Sequence, residues 1–241
     1  MKPIDILIAF DTETTSADPS TTRVVQIAAI QRNLNSFPTE DKVILNELCD
    51  PECTIDRGAS EVHGITAEMV KGLPNDISRA QYLAEYIWNL EQEGLRVVVC
   101  GHNSDGFDIP TLARLAGGEI VGERLDTLRL ARRIYQKAPN HKLGSLHEGL
   151  GLGSAEGAHD ALADIKMVLN LVDKFILDTG KTLEQLVEEL KTPQIFNTVH
   201  FGKHKGERWG DPKLRAYASW CYKNFNDVDV KATIAYHYGF R

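Results

Sequence analysis

Two carboxylates stand two residues apart directly after the first apolar run of the chain. Asp11 and Glu13 follow the run 6–10, and side chains two apart on a β-strand point to the same face. At about 4 Å and an effective dielectric near 20, two such charges repel by roughly 4 kcal/mol, so a cation or a proton must relieve the repulsion. The alternative for this pair is an exposed edge or a turn, where Asp and Thr are common.

Three more side chains that could take part in catalysis come from two later segments of the sequence. Asp108 follows a predicted buried strand and precedes a helix; it could instead cap that helix, and Asp105 is the alternative acid. The pattern around residue 160 predicts a helix with Asp160 as N-cap, which places Asp164 one turn into the helix and His159 on the preceding loop. Taken singly, each of these residues has an ordinary explanation as a cap, a turn residue or a solvated helix position.

Together, these side chains can converge in a mixed α/β fold. Hard carboxylates suit Mg²⁺ or Mn²⁺, and two such ions about 3.5–4 Å apart are the usual device for in-line attack on a phosphodiester. A neighbouring histidine, with an unperturbed pKa near 6.5, suits removal of a proton from the attacking water. The residue types therefore suit phosphodiester hydrolysis assisted by two divalent cations, either Mg²⁺ or Mn²⁺.

The elements that must position these side chains alternate between strand and helix patterns. Strands are predicted at 4–10, 24–31, 42–48 and 95–100. Helices are predicted at 65–70, 76–90, 110–116, 126–135, 160–177, 182–191, 211–224 and 228–238. Early strands in meander order, followed by alternating helices and strands, predict an α/β fold with a mixed sheet flanked by helices.

Composition excludes several classes of protein. Of the 241 residues, 42% are hydrophobic and 25% are charged, which supplies a core and excludes wholesale disorder. The longest apolar runs fall far short of the roughly 20 residues of a membrane span, and no secretory signal is visible. Four cysteines do not make a disulfide framework, so a cytoplasmic protein is expected. Cys49 and Cys53 could hold half a zinc site, but no matching second pair lies near them.

Charge is distributed unevenly along the chain. The net charge is −7, yet residues 193–241 carry eight Lys and Arg against four Asp and Glu, while the preceding part carries 19 against 30. Bases and aromatic residues in this tail predict a nucleic-acid contact through phosphate binding and base stacking. The alternatives are a polar hairpin anchored by its aromatic residues and a surface that docks a partner. The residues concerned are Lys203, His204, Lys205 and Arg208, with Phe201, Trp209 and Trp220.

The order of these motifs resembles that of the DEDDh, or DnaQ-like, 3′–5′ exonucleases, the family of the polymerase III proofreading subunit. The matching motifs are Asp11-Thr12-Glu13-Thr14, then His102-Asn103 through Phe107-Asp108, then His159 with Asp164. Similar intervening segments are 62–66, 126–132 and 142–146, and the resemblance covers about residues 4–178. The tail segment 201–206, Phe-Gly-Lys-His-Lys-Gly, looks like the C-terminal segment of exodeoxyribonuclease X-like members.

The resemblance implies a ribonuclease H-like fold, with the exonuclease domain at 1–180 and a small C-terminal α+β appendage at 181–241. It implies stepwise hydrolysis of DNA from single-stranded or duplex 3′ ends, releasing 5′-mononucleotides. RNA is an alternative substrate, a polymerase-associated proofreading subunit is an alternative role, and an inert nucleic-acid-binding module is a further alternative. No membrane association is expected, and the oligomeric state stays open.

The resemblance also assigns roles to individual residues. Asp11, Glu13 and Asp164 would hold the catalytic metal, Asp108 would support a second ion, and His159 would be the general base. The substrate-binding residues would be Thr12, Thr14, His63, Asn103, Lys203 and Lys205.

Three departures from the family pattern bear on the site. Three residues stand between Asn103 and Phe107, where the proofreading-subunit form often has two. Gln26 stands where a Glu is frequent on the second strand, and Ser16-Ala17 stands where Gly-Leu is frequent. A Leu at that place can press against the terminal base.

Overall fold

The computed structural model describes residues 2–36, 38–154 and 160–240. Within these ranges, five strands form one mixed sheet in the spatial order β3-β2-β1-β4-β5. The strands are β1 (Ile6–Thr14), β2 (Val24–Asn33), β3 (Glu40–Leu48), β4 (Val97–Gly101) and β5 (Glu123–Asp126). β1 lies at the centre, antiparallel to β2 and parallel to β4. The predicted mixed sheet flanked by helices is confirmed.

Helices cover both faces of this sheet. Those of the sheet domain are α1 (Arg57–His63), α2 (Ala67–Val70), α3 (Asp76–Gln92), α4 (Asp108–Ala116), α5 (Thr127–Ile134), α6 (Leu143–Gly149), α7 (Ala161–Thr179) and α8 (Leu183–Lys191). The later ones are α9 (Arg215–Asn224) and α10 (Val228–Tyr238), with 3₁₀ turns at Gly202–His204 and Pro212–Leu214. Helices α1 and α6 and strand β5 were not predicted from the sequence.

The alternation of side chains along β1 separates two apolar cores. Leu7 and Ala9 pack on the face covered by α5 to α8, whereas Ile6, Ile8 and Phe10 pack on the face covered by α3 and α4. With period 2, the next side chains on the α7 face are residues 11 and 13, and residue 12 belongs to the α4 face. The strand therefore turns its two acids towards α7 as soon as its apolar run ends.

Helix α7 carries an apolar stripe at Ala161, Ile165, Val168 and Val172, all buried in the core on its side of the sheet. Asp160 caps its start by accepting a hydrogen bond from the Ala163 backbone N–H (3.1 Å). Gly180 ends it in the left-handed conformation that a glycine adopts without strain. The capped start and the buried stripe fix the first turn of α7 against the sheet.

The division into units at 1–180 and 181–241 stays a prediction. The hydrophobic clusters of the structure place the change between units a little further along the chain than residue 180. The apolar face of α8 packs into the same core as α7, whereas a separate apolar cluster begins at Phe196 and runs to Tyr238. The sequence also predicts a short strand or hairpin near Phe201. In the structure, one antiparallel bridge between Thr198 and Arg208 closes this segment, and a 3₁₀ turn at Gly202–His204 lies within it.

A buried ion-pair network joins this C-terminal unit to the sheet domain. Asp229, at the start of α10, accepts hydrogen bonds from Arg129 (3.1 Å) and Arg133 (2.7 Å) on α5. Its carboxylate also accepts the backbone N–H of Gln194 (3.1 Å). Burial by itself raises the pKa of Asp229, but the hydrogen bond from Arg133 and the charges of both arginines lower it overall. The carboxylate therefore stays ionised and fixes how the two units are oriented.

No helix in the described ranges is both long enough and apolar enough to cross a lipid bilayer.

Replacing Asp229 should separate the two units. Asp229→Ala leaves Arg133 buried without a counter-ion and leaves Arg129 with Asp105 alone, and breaking a buried pair typically costs about 3–5 kcal/mol. We expect a loss of that size in urea unfolding and faster limited proteolysis between the units. Glu61→Ala, which removes an exposed ion pair with Arg57, should cost less than about 1 kcal/mol. Equal stability of the two variants would contradict the network's role.

Candidate active site

The sheet and α7 bring three predicted metal ligands together. Asp11 and Glu13 lie on β1 and Asp164 lies in the first turn of α7. Their ligand oxygens all lie within 4.8 Å of one another, and each of the three residues is partly exposed. This is the size of cluster in which one divalent cation can contact every carboxylate.

Burial and mutual repulsion make the cluster costly when it is fully ionised. The pKa of Glu13 is raised to about 8, first by burial and then by the charges of Asp164 and Asp108. The pKa of Asp11 is also raised well above its ordinary value, by burial and then by Asp108 and Asp164. At neutral pH the cluster therefore holds protons or a cation, which fits the carboxylates to a divalent metal.

Asp108 approaches the same site from the other face of the sheet. It is buried as the first residue of α4, and its Oδ1 accepts a hydrogen bond from the Thr12 hydroxyl (2.6 Å). Burial raises the pKa of Asp108 to about 7, although the hydrogen bond from Thr12 opposes this shift. Thr12 thus orients Asp108 with its side chain, so any contact it makes with substrate would come from its backbone.

Two helix N-termini point at the carboxylates. Asp108 begins α4 and Asp164 lies in the first turn of α7, where unpaired backbone N–H groups carry partial positive charge. A carboxylate at such a place is stabilised by about 0.3–1 kcal/mol. The two helices thus offset part of the repulsion that the acids impose on one another.

Gln26 lies on β2 opposite Glu13 and connects this strand to the start of α7. It pairs with Glu13 across β1 and β2, and its side chain spans to the helix. The amide nitrogen donates to the Asp160 carboxylate (3.1 Å), and the amide oxygen accepts the Ala161 backbone N–H (3.3 Å). Because α7 begins here, Gln26 positions the turn that carries Asp164. The sequence drew attention to this residue only as a departure from a family pattern.

Thr14 and His63 lie together beside the acidic cluster. Nδ1 of His63 accepts the Ile65 backbone N–H (3.0 Å), so the ring proton on Nε2 is directed to the Thr14 carbonyl (3.2 Å). Both residues line a cavity of about 560 Å³ that also includes Glu13, Ser16 and Phe107. Space for a nucleotide therefore adjoins the carboxylates. Helix α1 carries His63 and has no buried residue. Its sequence therefore shows no apolar periodicity from which a helix could be predicted.

The loop after β4 is held by a residue that sequence reasoning gave no role. Asp126 accepts the backbone N–H groups of Asn103 (3.0 Å) and Asp105 (3.1 Å), and it also caps α5. Asn103 adopts a left-handed conformation (φ 68°), and a Cβ on Gly106 would lie 2.9 Å from its Oδ1. The exposed Asn103 thus shapes the approach to Asp108. The position of Asp126 immediately before a helix is the sequence feature that could have indicated its role as a cap.

The remaining predicted site residues lie elsewhere. His159 falls outside the described residues. Asp105, the alternative acid to Asp108, pairs with Arg129 (3.1 Å). The ammonium group of Lys205 donates to the carbonyl oxygens of Ala138 (2.7 Å) and Pro139, which ties the C-terminal turn to the sheet domain. Lys203 lines a separate groove on the C-terminal unit.

A five-stranded mixed sheet with carboxylates converging at the end of its central strand is the arrangement of ribonuclease H-like exonucleases. The exonuclease family model RNase_T matches residues 8–172, which include Asp11, Glu13, Asp108 and Asp164. The chain therefore belongs to this exonuclease family, of the DnaQ type.

Two curated relatives are parts of DNA polymerase III. The PolC-type polymerase of Thermotoga petrophila is 32% identical over 177 residues, covering 70% of this chain and 12% of the relative. A DNA polymerase III subunit epsilon-like protein of Rhodobacter capsulatus is 33% identical over 169 residues, covering 67% of this chain and 23% of the relative. The chain thus spans less than a quarter of the length of these relatives.

Solved exonucleases share the fold. Exonuclease I resembles it with a TM-score of 0.62 at 20% identity, covering 79% of this chain and 44% of that chain. Exonuclease X, in complex with 5′ overhanging duplex DNA, resembles it with a TM-score of 0.58 at 25% identity. That match covers 76% of this chain and 98% of the exonuclease X chain.

The raised carboxylate pKa values predict a metal-dependent pH profile of stability. Because the pKa of Glu13 rises from 4.5 to about 8 on folding, the folded state holds the proton more tightly. Stability of the metal-free protein should therefore fall as pH rises from about 5 to 8. Saturating Mg²⁺ should remove much of this fall, since a cation that binds only the folded state stabilises it.

Thermal melting across this pH range, with EDTA and with Mg²⁺, measures the effect. Glu13→Gln cannot ionise at this position, so its metal-free melting temperature should fall less with pH than that of the wild type. Coincident wild-type profiles with and without Mg²⁺ would contradict a preformed acidic metal site.

Removing the Gln26 contacts should loosen α7. Gln26→Leu leaves the buried Ala161 N–H without an acceptor, which typically costs about 1–3 kcal/mol. Turnover of an oligonucleotide at saturating Mg²⁺ should fall as well, because Asp164 lies one turn further along the helix. Gln31→Leu, on the same strand, loses a hydrogen bond from Tyr86 (2.6 Å) and should cost stability without lowering turnover. Full turnover by Gln26→Leu would show that this residue does not position Asp164.

Proposed function

We propose that this protein is a metal-dependent 3′–5′ exodeoxyribonuclease that releases 5′-mononucleotides. The observation that carries the proposal is the cluster of Asp11, Glu13 and Asp164 within the residues that match the exonuclease family. The DNA in the solved relatives supports the choice of substrate. Exonuclease X was solved with 5′ overhanging duplex DNA, which has a recessed 3′ end, and Escherichia coli exonuclease I was solved with a dA16 oligonucleotide.

Exonuclease domains of this family use divalent metals, and the residues of this site fit them. In the proposal, Asp11, Glu13 and Asp164 hold one Mg²⁺, while Asp11 and Asp108 serve a second; Mn²⁺ would substitute. When bound, these ions lower the pKa of a coordinated water and neutralise charge on the phosphate and the leaving oxygen. The Thr12 hydroxyl and the start of α4 hold Asp108 in place for this role.

Proton transfer is proposed for His159. It directly precedes Asp160, the N-cap of α7 that receives the Gln26 hydrogen bond. A neutral imidazole on this loop would accept the proton of the attacking water and release it to solvent after cleavage.

The terminal nucleotide is proposed to occupy the cavity beside Glu13. Thr14 and His63 line its wall, and the hydrogen bond from His63 holds the Thr14 carbonyl in place. The backbone of Thr12 would lie next to the scissile phosphate, and Asn103 would contact the substrate from the loop before α4. Ser16 and Ala17 line the same cavity, so a small side chain stands where the family often has a Leu.

A second candidate role is proofreading for a DNA polymerase. The similarity to polymerase III proteins favours it, at 32% and 33% identity. It predicts that a mismatched 3′ terminus is removed faster than a paired one, because the end must unpair before it enters the site. Comparable rates on both ends would favour a free-standing nuclease instead. In either role we propose a cytoplasmic location, in keeping with four cysteines that are all free thiols.

A gel assay on 5′-labelled DNA tests the proposal directly. Wild-type protein with Mg²⁺ should produce a ladder from the 3′ end, and EDTA should abolish it. Asp164→Ala should slow cleavage by roughly 10³-fold or more, since bound metal supplies several kcal/mol of transition-state stabilisation. The variant should keep most of its DNA affinity.

Asp173→Ala is the matched control, because Asp173 lies on the same helix with an exposed side chain and pairs with Arg32. It should cleave at the wild-type rate. Equal activity of Asp164→Ala would remove this residue from the site. Cleavage of RNA of the same sequence, without cleavage of DNA, would replace the exodeoxyribonuclease with an exoribonuclease.

A further inference from the structure

A groove of about 840 Å³ lies on the C-terminal unit, away from the acidic cluster. Its wall combines aromatic rings with basic side chains. The aromatic part comes from Tyr217 and Trp220 on α9 and from Phe201 and Phe225; the basic part includes Lys203 and Lys213. Neither the family match at residues 8–172 nor the acidic site accounts for this groove.

The aromatic wall is a ladder of nearly parallel rings. Buried Trp209 stacks on Tyr217 at an interplanar angle of 11°, and Tyr217 stacks on Trp220 at 16°. Tyr217 and Trp220 are three residues apart on α9 and so share one face of the helix. Trp220 ends the ladder and is 52% exposed, although it is among the most hydrophobic side chains. A flat apolar ligand would continue the ladder.

The charge of the groove is positive in a chain whose net charge is −7. Among the described residues that line it, the side chains that can carry a charge at neutral pH are all basic. Arg132 pairs with Asp227, and His204 pairs with Glu207. Lys203 and Lys213 form no ion pair with any described residue, and both line the groove. An anionic ligand is therefore favoured over a neutral or cationic one.

The groove continues towards the edge of the sheet that carries the active site. A second cavity, of about 470 Å³, shares Arg132, Phe201 and Gly202 with it and extends to His102. His102 follows β4, whose register with the parallel strand β1 pairs Cys100 with Ala9. Two residues beyond this pair, Asp11 and His102 lie on the same edge of the sheet. The Arg129–Asp229 pair holds the C-terminal unit against α5, so the direction of the groove is fixed.

We infer that this groove binds the single-stranded part of the DNA substrate, with an unpaired base stacked on Trp220 and phosphates at Lys203 and Lys213. The inference rests on the proposed function, and it adds where the strand lies beyond the cleaved end. An exposed indole can stack on an unpaired base but not on one inside a duplex, and lysines bind phosphates whatever the sequence. A protein partner would need both a flat apolar group to stack on the aromatic rings and acidic groups to pair with the lysines.

Fluorescence anisotropy with 5′-fluorescein-labelled dT20 measures this binding, in full-length protein carrying Asp164→Ala so that the probe stays intact. Adding Trp220→Ala should weaken binding about tenfold, the size of a lost stacking contact. Adding Lys203→Glu with Lys213→Glu should weaken it at least as much. It should also lower the slope of log affinity against log salt by about 1.4, because each phosphate contact on a single strand contributes about 0.7.

Matched controls change the same residue types outside the groove. Tyr236→Ala replaces an aromatic residue of α10 that is 73% exposed, and Lys231→Glu reverses a charge on the same helix, which contributes no residue to the groove. Both should bind dT20 with the unchanged affinity and salt slope. Unchanged dT20 binding by the groove variants would overturn the inference and leave the groove to a protein partner.

A separate measurement keeps this result apart from the proposed function. Wild-type protein should hydrolyse the p-nitrophenyl ester of thymidine 5′-monophosphate, a one-nucleotide substrate that needs only the acidic site. If this ester and DNA are both left intact, the proposed function fails. If they are cleaved while the groove variants bind dT20 normally, only the groove inference fails.

Discussion

The structure is organised around one electrostatic constraint, which is that four carboxyl groups must share a small volume at the end of the central strand. Asp11, Glu13, Asp108 and Asp164 would repel one another when ionised. Burial and this repulsion raise the pKa values of Asp11 and Glu13, and burial raises the pKa of Asp108. The fold holds them there by attaching them to elements that cannot move apart. β1 is paired on both sides, while α4 and α7 are each buried in one of the two cores.

Neutral hydrogen bonds then set the positions of the individual charges. Thr12 orients Asp108 from the α4 side of the sheet, and Gln26 fastens the beginning of α7 from the neighbouring strand. An amide at position 26 can both donate to Asp160 and accept from Ala161, whereas an ionised carboxylate there could only accept. The departure from the family pattern thus reduces the negative charge next to Glu13 while keeping the helix attached.

Local patterns in the sequence predicted the parts of the site that depend on local geometry. The two-residue period of a strand placed Asp11 and Glu13 on one face, and the capping pattern at Asp160 placed Asp164 one turn into its helix. The strand β5 was missed because Glu-Arg-Leu-Asp shows no apolar alternation, and α1 was missed because it buries no side chain. Contacts such as Gln26 to Ala161 join residues far apart in sequence, so they leave no local pattern to read. The sequence also does not show which aromatic residues of the tail are buried. Trp209 is buried in a core and Trp220 is exposed.

The residues of the acidic cluster come from the two ends of the sheet domain. Asp11 and Glu13 lie on β1, and Asp164 lies on α7, which begins at Ala161. During synthesis, β1 leaves the ribosome long before α7 is made. A growing chain therefore has no complete set of ligands, and neither does one that has been truncated ahead of this helix. The proposed metal ligands therefore come together only after α7 has been made and has packed against β1.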